Sequence, residues 1–242
     1  MSDGPLRKNP LRAVLAIASL AAILAAVAIV FFVAPEEKVM GPSQKIFYFH
    51  VAAAMNMMLA FAVCAVAGAI NLGLRERRPD IVRVADAAGI GAAEVGLVLG
   101  AIVLVTGPIW ARQAWGTWWT WEPRLTLSLL VFFLFLGYVS LRAYAGGDRF
   151  GRGLAAGLSL LGLPTLYFIH IAVAKWGGAH PQVVFQGGLS VPTMKLAFYM
   201  SLFAMFLTSL TLALLRAQIE MRRDEMDRLY LDADDRMRED ET

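Results

Sequence analysis

Cysteine is nearly absent from this sequence: among 242 residues there is one, Cys64. A lone thiol excludes an intramolecular disulfide and any CxxC redox or metal-binding pair. Histidine is almost as scarce, with only His50, His170 and His180. No stretch gathers the three or four nitrogen, sulfur and carboxylate ligands that a zinc centre takes. Charged residues make up 17% of the chain, below the usual quarter, while 58% is hydrophobic. That balance excludes an ordinary soluble domain, and repeated apolar runs of about twenty residues indicate a polytopic membrane protein. The pI of 9.2 comes without a nucleic-acid-binding motif, so the basic excess reflects topology, with cations held on one side of a bilayer.

The apolar runs predict six spans: Leu11 to Val33, Ile46 to Leu74, Ala87 to Ile109, Leu125 to Tyr144, Leu154 to Trp176 and Pro192 to Leu215. The first follows Arg7, Lys8 and Arg12 as a signal peptide would. It exceeds a typical signal core and lacks a convincing cleavage end, so it is read as a retained span. Placing the N-terminus, the turns at 75–83 and 142–152 and the tail on one side collects sixteen of the 22 Lys and Arg there. The positive-inside rule then makes both termini cytoplasmic and puts the loops after spans three and five on the outer face, periplasmic in a Gram-negative cell. The expected fold class is an all-α membrane protein with six transmembrane helices. Residues 1–217 form the membrane domain and 218–242 a charged tail, solvated or partly helical. Cys64 is expected to pack between helices, and Glu94, a costly group in span three, to pair with a base such as Arg142.

Against this uniform background one stretch stands out: Trp115-Gly116-Thr117-Trp118-Trp119-Thr120-Trp121-Glu122-Pro123-Arg124, which with Trp110 holds five of the six tryptophans. Indoles collect at membrane interfaces generally, but an interfacial belt is spread over many helix ends. Five rings in one loop (110–124), with Gly116 allowing close approach and Pro123 stiffening the exit, read as a platform for something large, flat and apolar. His50 lies five residues past Lys45, about 7 to 8 Å below the outer boundary. Ala53, Ala54, Met57 and Phe61 follow at helical spacing as an apolar wall. His180 comes just after span five on the same side, and His170 sits about 9 Å inside that span from Trp176. Two neutral imidazoles beside an aromatic shelf suit an iron porphyrin, with nitrogen ligands for the iron and indole faces for the macrocycle. Spacing alone leaves His170 and His180 both open as the second ligand, with hydrogen-bond support of a ligand as the other role open to His170.

These residues resemble the CcmC family of cytochrome c maturation proteins, haem-handling membrane proteins of the WWD-domain group. The resemblance runs over nearly the whole chain from span two. It is carried by Tyr48-Phe49-His50-Val51 with Ala53-Ala54, Leu104-Val105-Thr106-Gly107 before Trp110, the tryptophan core, Arg124-Leu125-Thr126, and the Trp176 to His180 spacing. The tryptophan motif is shared with the larger CcmF and CcsA proteins; six spans with histidines in these two loops favour CcmC. The resemblance implies that His50 and His180 are axial ligands to the iron of a transiently bound haem b. It also implies a site formed by Trp115, Trp118, Trp119 and Trp121 with Glu122 and Arg124, at the outer face of the cytoplasmic (inner) membrane. His170 matches a family histidine, to which no ligand role is carried over. The implied function is presentation of haem to the periplasmic chaperone CcmE during c-type cytochrome assembly, with CcmD, CcmA and CcmB as partners and no catalytic turnover. A membrane b-type haem oxidoreductase and a solute permease are the competing readings. The chain departs from the family pattern at three positions: Glu122 stands where aspartate is usual, Ala52 where proline is frequent, and Pro181 where glutamine is common.

Overall fold

The computed structural model describes residues 10–37, 40–145, 149–180, 189 and 191–240. Over these the chain forms six α-helices and no strand: α1 (Pro10–Ala28), α2 (Lys45–Leu74), α3 (Pro79–Trp115), α4 (Pro123–Ala145), α5 (Arg149–Trp176) and α6 (Pro192–Asp240). Each is long and apolar enough to cross a membrane, counting with α1 the wider π-helical turn Ile29–Val33 that extends it. Helices are the open-chain solution there, because hydrocarbon offers no partner to a free backbone N–H or C=O. Four of the six open on proline, whose missing N–H is no loss in a first turn and whose φ is already helical.

The six expected spans are all present, and the helices run past them. α3 extends the third span at both ends, so Trp110 and Trp115 lie on its last turns and the true loop is only Gly116–Glu122. α6 is continuous to Asp240, 49 residues, or about 73 Å at 1.5 Å per residue. The expected loop residues Pro181 and Gly187 lie outside the described residues, as do Arg7 and Lys8.

The core is built by α2, α3, α4 and α5 around Phe61 and Phe135, which stack with ring centroids 3.9 Å apart. Cys64 is buried in the same cluster, as a packing role requires. α1 is peripheral and packs on α6 through Ala22, Ala26 and Ala204, with the Ser19 and Thr211 hydroxyls 3.0 Å apart.

One end of the bundle is tied by charge. Arg142 reaches Asp86 at 2.7 Å and Glu220 at 3.3 Å, and Arg152 bridges Asp86 and Asp224. Arg83 meets Asp224 at 3.0 Å, which fixes the extension of α6 against α3 and α5. Glu94 is paired, as expected of a costly group, but its partner is Arg216 at 2.6 Å and not Arg142. Facing pairs on different helices depend on helix rotation, which hydropathy does not give. The histidines and tryptophans sit at the opposite end, which we call the tryptophan end.

Candidate functional site

At the tryptophan end a cleft opens between α2, α3, α4 and α5. Its empty volume, with the open mouth and the solvent in it included, is about 710 Å³. His50, Ala54, Met57 and Met58 supply one wall; their spacing of four, three and one puts them on a single face of α2. Ala53 and Phe61, expected on this wall, turn instead into the core. α3 supplies Val103, Leu104, Gly107, Pro108, Trp110 and Trp115, the loop Trp119, and α4 Arg124, Leu125 and Ser128. His180 closes the set, so both histidines expected as ligands line one cavity.

His50 stands in the second turn of α2 and is oriented from behind. Its Nδ1 lies 2.9 Å from Thr106 Oγ1, and that hydroxyl donates its single proton to Ile102 O at 2.6 Å. The hydroxyl can therefore only accept from the ring. Nδ1 carries the proton, and in the neutral imidazole Nε2 is left with the free lone pair, the form a metal ligand needs. Gly107 makes room for the ring: a Cβ at this position would come 3.2 Å from His50 Cε1. In protein labelled with ¹⁵N-histidine, His50 is expected as the Nδ1-protonated tautomer. Thr106→Val, which removes a hydrogen bond worth about 1 kcal/mol, should mix the two tautomers, whereas Thr106→Ser should not. A tautomer unchanged in Thr106→Val would remove this role from Thr106. Thr106 belongs to the Leu104-Val105-Thr106-Gly107 phrase, but its partner was not legible until α2 and α3 were set side by side.

The tryptophan stretch divides into two groups. Trp110 and Trp115 meet edge to face at 5.3 Å and, with Trp119, line the cleft. Trp118 and Trp121 do not line it and are 57% and 75% exposed, the Trp121 ring meeting Trp119 edge to face at 5.9 Å. Sequence spacing could not separate them, because α3 ends at Gly116, with φ of +73°, and in the loop beyond it no helical period sets which ring meets the cleft. Two polar groups of the wall stand out in this apolar setting. Arg124 lines the cleft, and Trp119 Nε1 is buried with no hydrogen-bond partner among the described residues. Glu122 does not line the cleft; its carboxylate Oε2 accepts the N–H of Ala179 at 2.7 Å, beside His180. His170 lies on the exposed face of α5, outside the cleft lining. No group of three or more His, Cys, Asp or Glu is close enough to hold a metal ion among the described residues. Among the described residues the site thus offers two imidazoles, an indole wall, the Arg124 guanidinium and a Trp119 N–H donor with no partner.

Known proteins resemble this chain over most of its length. The chain is 36% identical over 207 residues to the "Heme exporter protein C" of Escherichia coli K12, covering 83% of this chain and 82% of that protein. It is 32% identical over 196 residues to the protein of the same name from Paracoccus denitrificans, 79% of each chain. The Bradyrhizobium diazoefficiens protein of that name is 33% identical over 199 residues, 78% of this chain and 72% of its own. The family described as "CcmC: Heme exporter protein C" matches residues 7–232, nearly the full length, and the chain belongs to that family.

Proposed function

We propose that this membrane protein holds haem in the cleft at the tryptophan end, with His50 and His180 as axial ligands, and presents it to the chaperone CcmE. The observation that carries the reading is the meeting of His50, His180, Trp115, Trp119 and Arg124 in one cavity. Haem, the cargo, would bring an iron with two open axial positions, a flat apolar ring and two carboxylates. Each has a counterpart: imidazole nitrogen for the iron, indole for the ring, and the Arg124 guanidinium with the unused Trp119 N–H for carboxylate. His170, off the cleft, is left without a ligand role.

The cleft opens at the end of the bundle, whereas a b-type oxidoreductase buries its haem between helices, so a carrier without catalytic turnover fits better. The distribution of Lys and Arg supports an outer-face position for this end in the cytoplasmic membrane, where a periplasmic chaperone could reach it. CcmD, CcmA and CcmB are the further partners that family membership suggests.

Trp118 and Trp121 are too exposed to hold cargo in the cleft and suit the meeting surface for the chaperone. Replacing both by alanine should leave bound haem at the parental level and lower transfer to co-expressed CcmE more than about tenfold, since buried interface tryptophans commonly cost over 2 kcal/mol when truncated. The readout is haem delivered to CcmE per inserted protein. Parental transfer by a normally inserted variant would reduce these two rings to an interfacial belt.

A further inference from the structure

We propose that Glu122 seats His180: its carboxylate holds the turn after α5 against the start of α4, so that the second axial ligand faces the cleft. This rests on the reading of the cleft as a haem site. His50 is fixed within a helix, but His180 lies four residues beyond the end of α5, where no helix sets its direction. The chain leaves α5 through Gly177, whose N–H closes on Val173 O at 3.0 Å. Gly177 and Gly178 then turn it with φ of +75° and +140°, values that L side chains rarely adopt. The next N–H, that of Ala179, donates to Glu122 Oε2 at 2.7 Å. Gly178 is pressed against the same carboxylate, and a Cβ there would lie 2.7 Å from Oε2 and 3.0 Å from Cδ.

The other side of the contact is rigid. Glu122 precedes Pro123, the first residue of α4, and its own carbonyl accepts the Thr126 N–H at 3.0 Å. Arg124, two residues on, lines the cleft that His180 also lines. One short charge-assisted bond, of a kind about twice as strong as a neutral one, therefore joins the two chain segments that must be in register for His180 to face His50. Glu122 Oε1 is buried without a hydrogen-bond partner among the described residues, and the carboxylate also interacts electrostatically with the Arg124 guanidinium. Glu122 is a positioning residue: it acts on the iron only through the backbone next to a ligand.

The test uses full-length protein purified with haem, read by optical and EPR spectra. The parent should be six-coordinate and low-spin. Glu122→Ala should convert more than half of the haem to a five-coordinate, high-spin form, and added imidazole should restore the low-spin spectrum. Glu122→Gln keeps a carbonyl acceptor at the same reach and should stay mostly low-spin; Glu122→Asp draws the acceptor back by about 1.5 Å and should fall between. Gly178→Ala should reproduce the Glu122→Ala spectrum, and the double variant should go no further than either single one. A low-spin spectrum in Glu122→Ala, alongside a high-spin one in His180→Ala, would overturn the seating role and leave the haem site standing. If His180→Ala is itself parental, the haem-site reading fails and this proposal with it. Should Glu122→Ala not accumulate, Gly178→Ala decides: a parental spectrum there overturns the proposal.

Discussion

His50→Ala is expected to leave the purified protein with less than about a tenth of its parental haem, and added imidazole to recover part of the loss. Residues that merely orient a metal ligand are worth roughly 10–100-fold in affinity, and losing the ligand itself should cost at least as much. His50 is the better-held of the two candidates, standing on α2 with Thr106 behind it. Its loss removes the anchor, whereas His180→Ala takes a ligand from a loop and should cost less. Imidazole can enter the vacated space because the cleft is open at its mouth. Haem per protein after purification, with and without imidazole, checks the pair. Parental occupancy in His50→Ala would remove the anchoring ligand role from His50.

The largest effect on stability is expected at the other end of the bundle. The side chains of Arg142 and Asp86 are 6% and 11% exposed and 2.7 Å apart. Removing one member of a buried pair leaves the other charge uncompensated, at a cost of about 3–5 kcal/mol. Arg142→Met should fall near the low end, about 3 kcal/mol, for two reasons. Asp86 keeps Arg152 at 3.4 Å and Asn71 at 3.3 Å, and the Nε and Nη1 groups of Arg142 make no hydrogen bond among the described residues. In detergent that corresponds to a fall in Tm of about 6–12 °C for a chain of this size. Adding Asp86→Asn should recover part of it by removing a carboxylate left with only its longer contacts to Arg152 and Asn71. An unchanged Tm in Arg142→Met would mean that the ion network does not hold α6 to the bundle.

Much of this was legible before any coordinates. Six apolar runs give six helices because a span needs only length and hydropathy, and both are local properties of the chain. His50, His180 and the indole cluster were legible as a group because these residue types are too costly in and near a membrane to be scattered without purpose. What escaped depends on rotation and on where helices stop. Glu94 meets Arg216 and not Arg142 because α6 presents Arg216 to α3 at that level. Five tryptophans looked like one platform, but Trp110 and Trp115 on α3 and Trp119 in the loop line the cleft, whereas Trp118 and Trp121, on either side of Trp119, do not. The contacts of Thr106 with His50 and of Glu122 with Ala179 join residues 56 and 57 apart, and no local pattern carries such pairings. Helix ends also ran long, since a polar tail such as 218–240 can continue a helix that its hydropathy alone would end.

The most direct measurement is the EPR spectrum of the ferric haem-loaded protein in three single variants, His50→Gly, His180→Gly and His170→Gly. Ligation by His50 and His180 predicts a low-spin bis-imidazole signal in the parent, lost to a high-spin signal in the first two variants, regained in each with imidazole, and unchanged in the third. A bis-imidazole signal that survives His180→Gly and disappears in His170→Gly would contradict it.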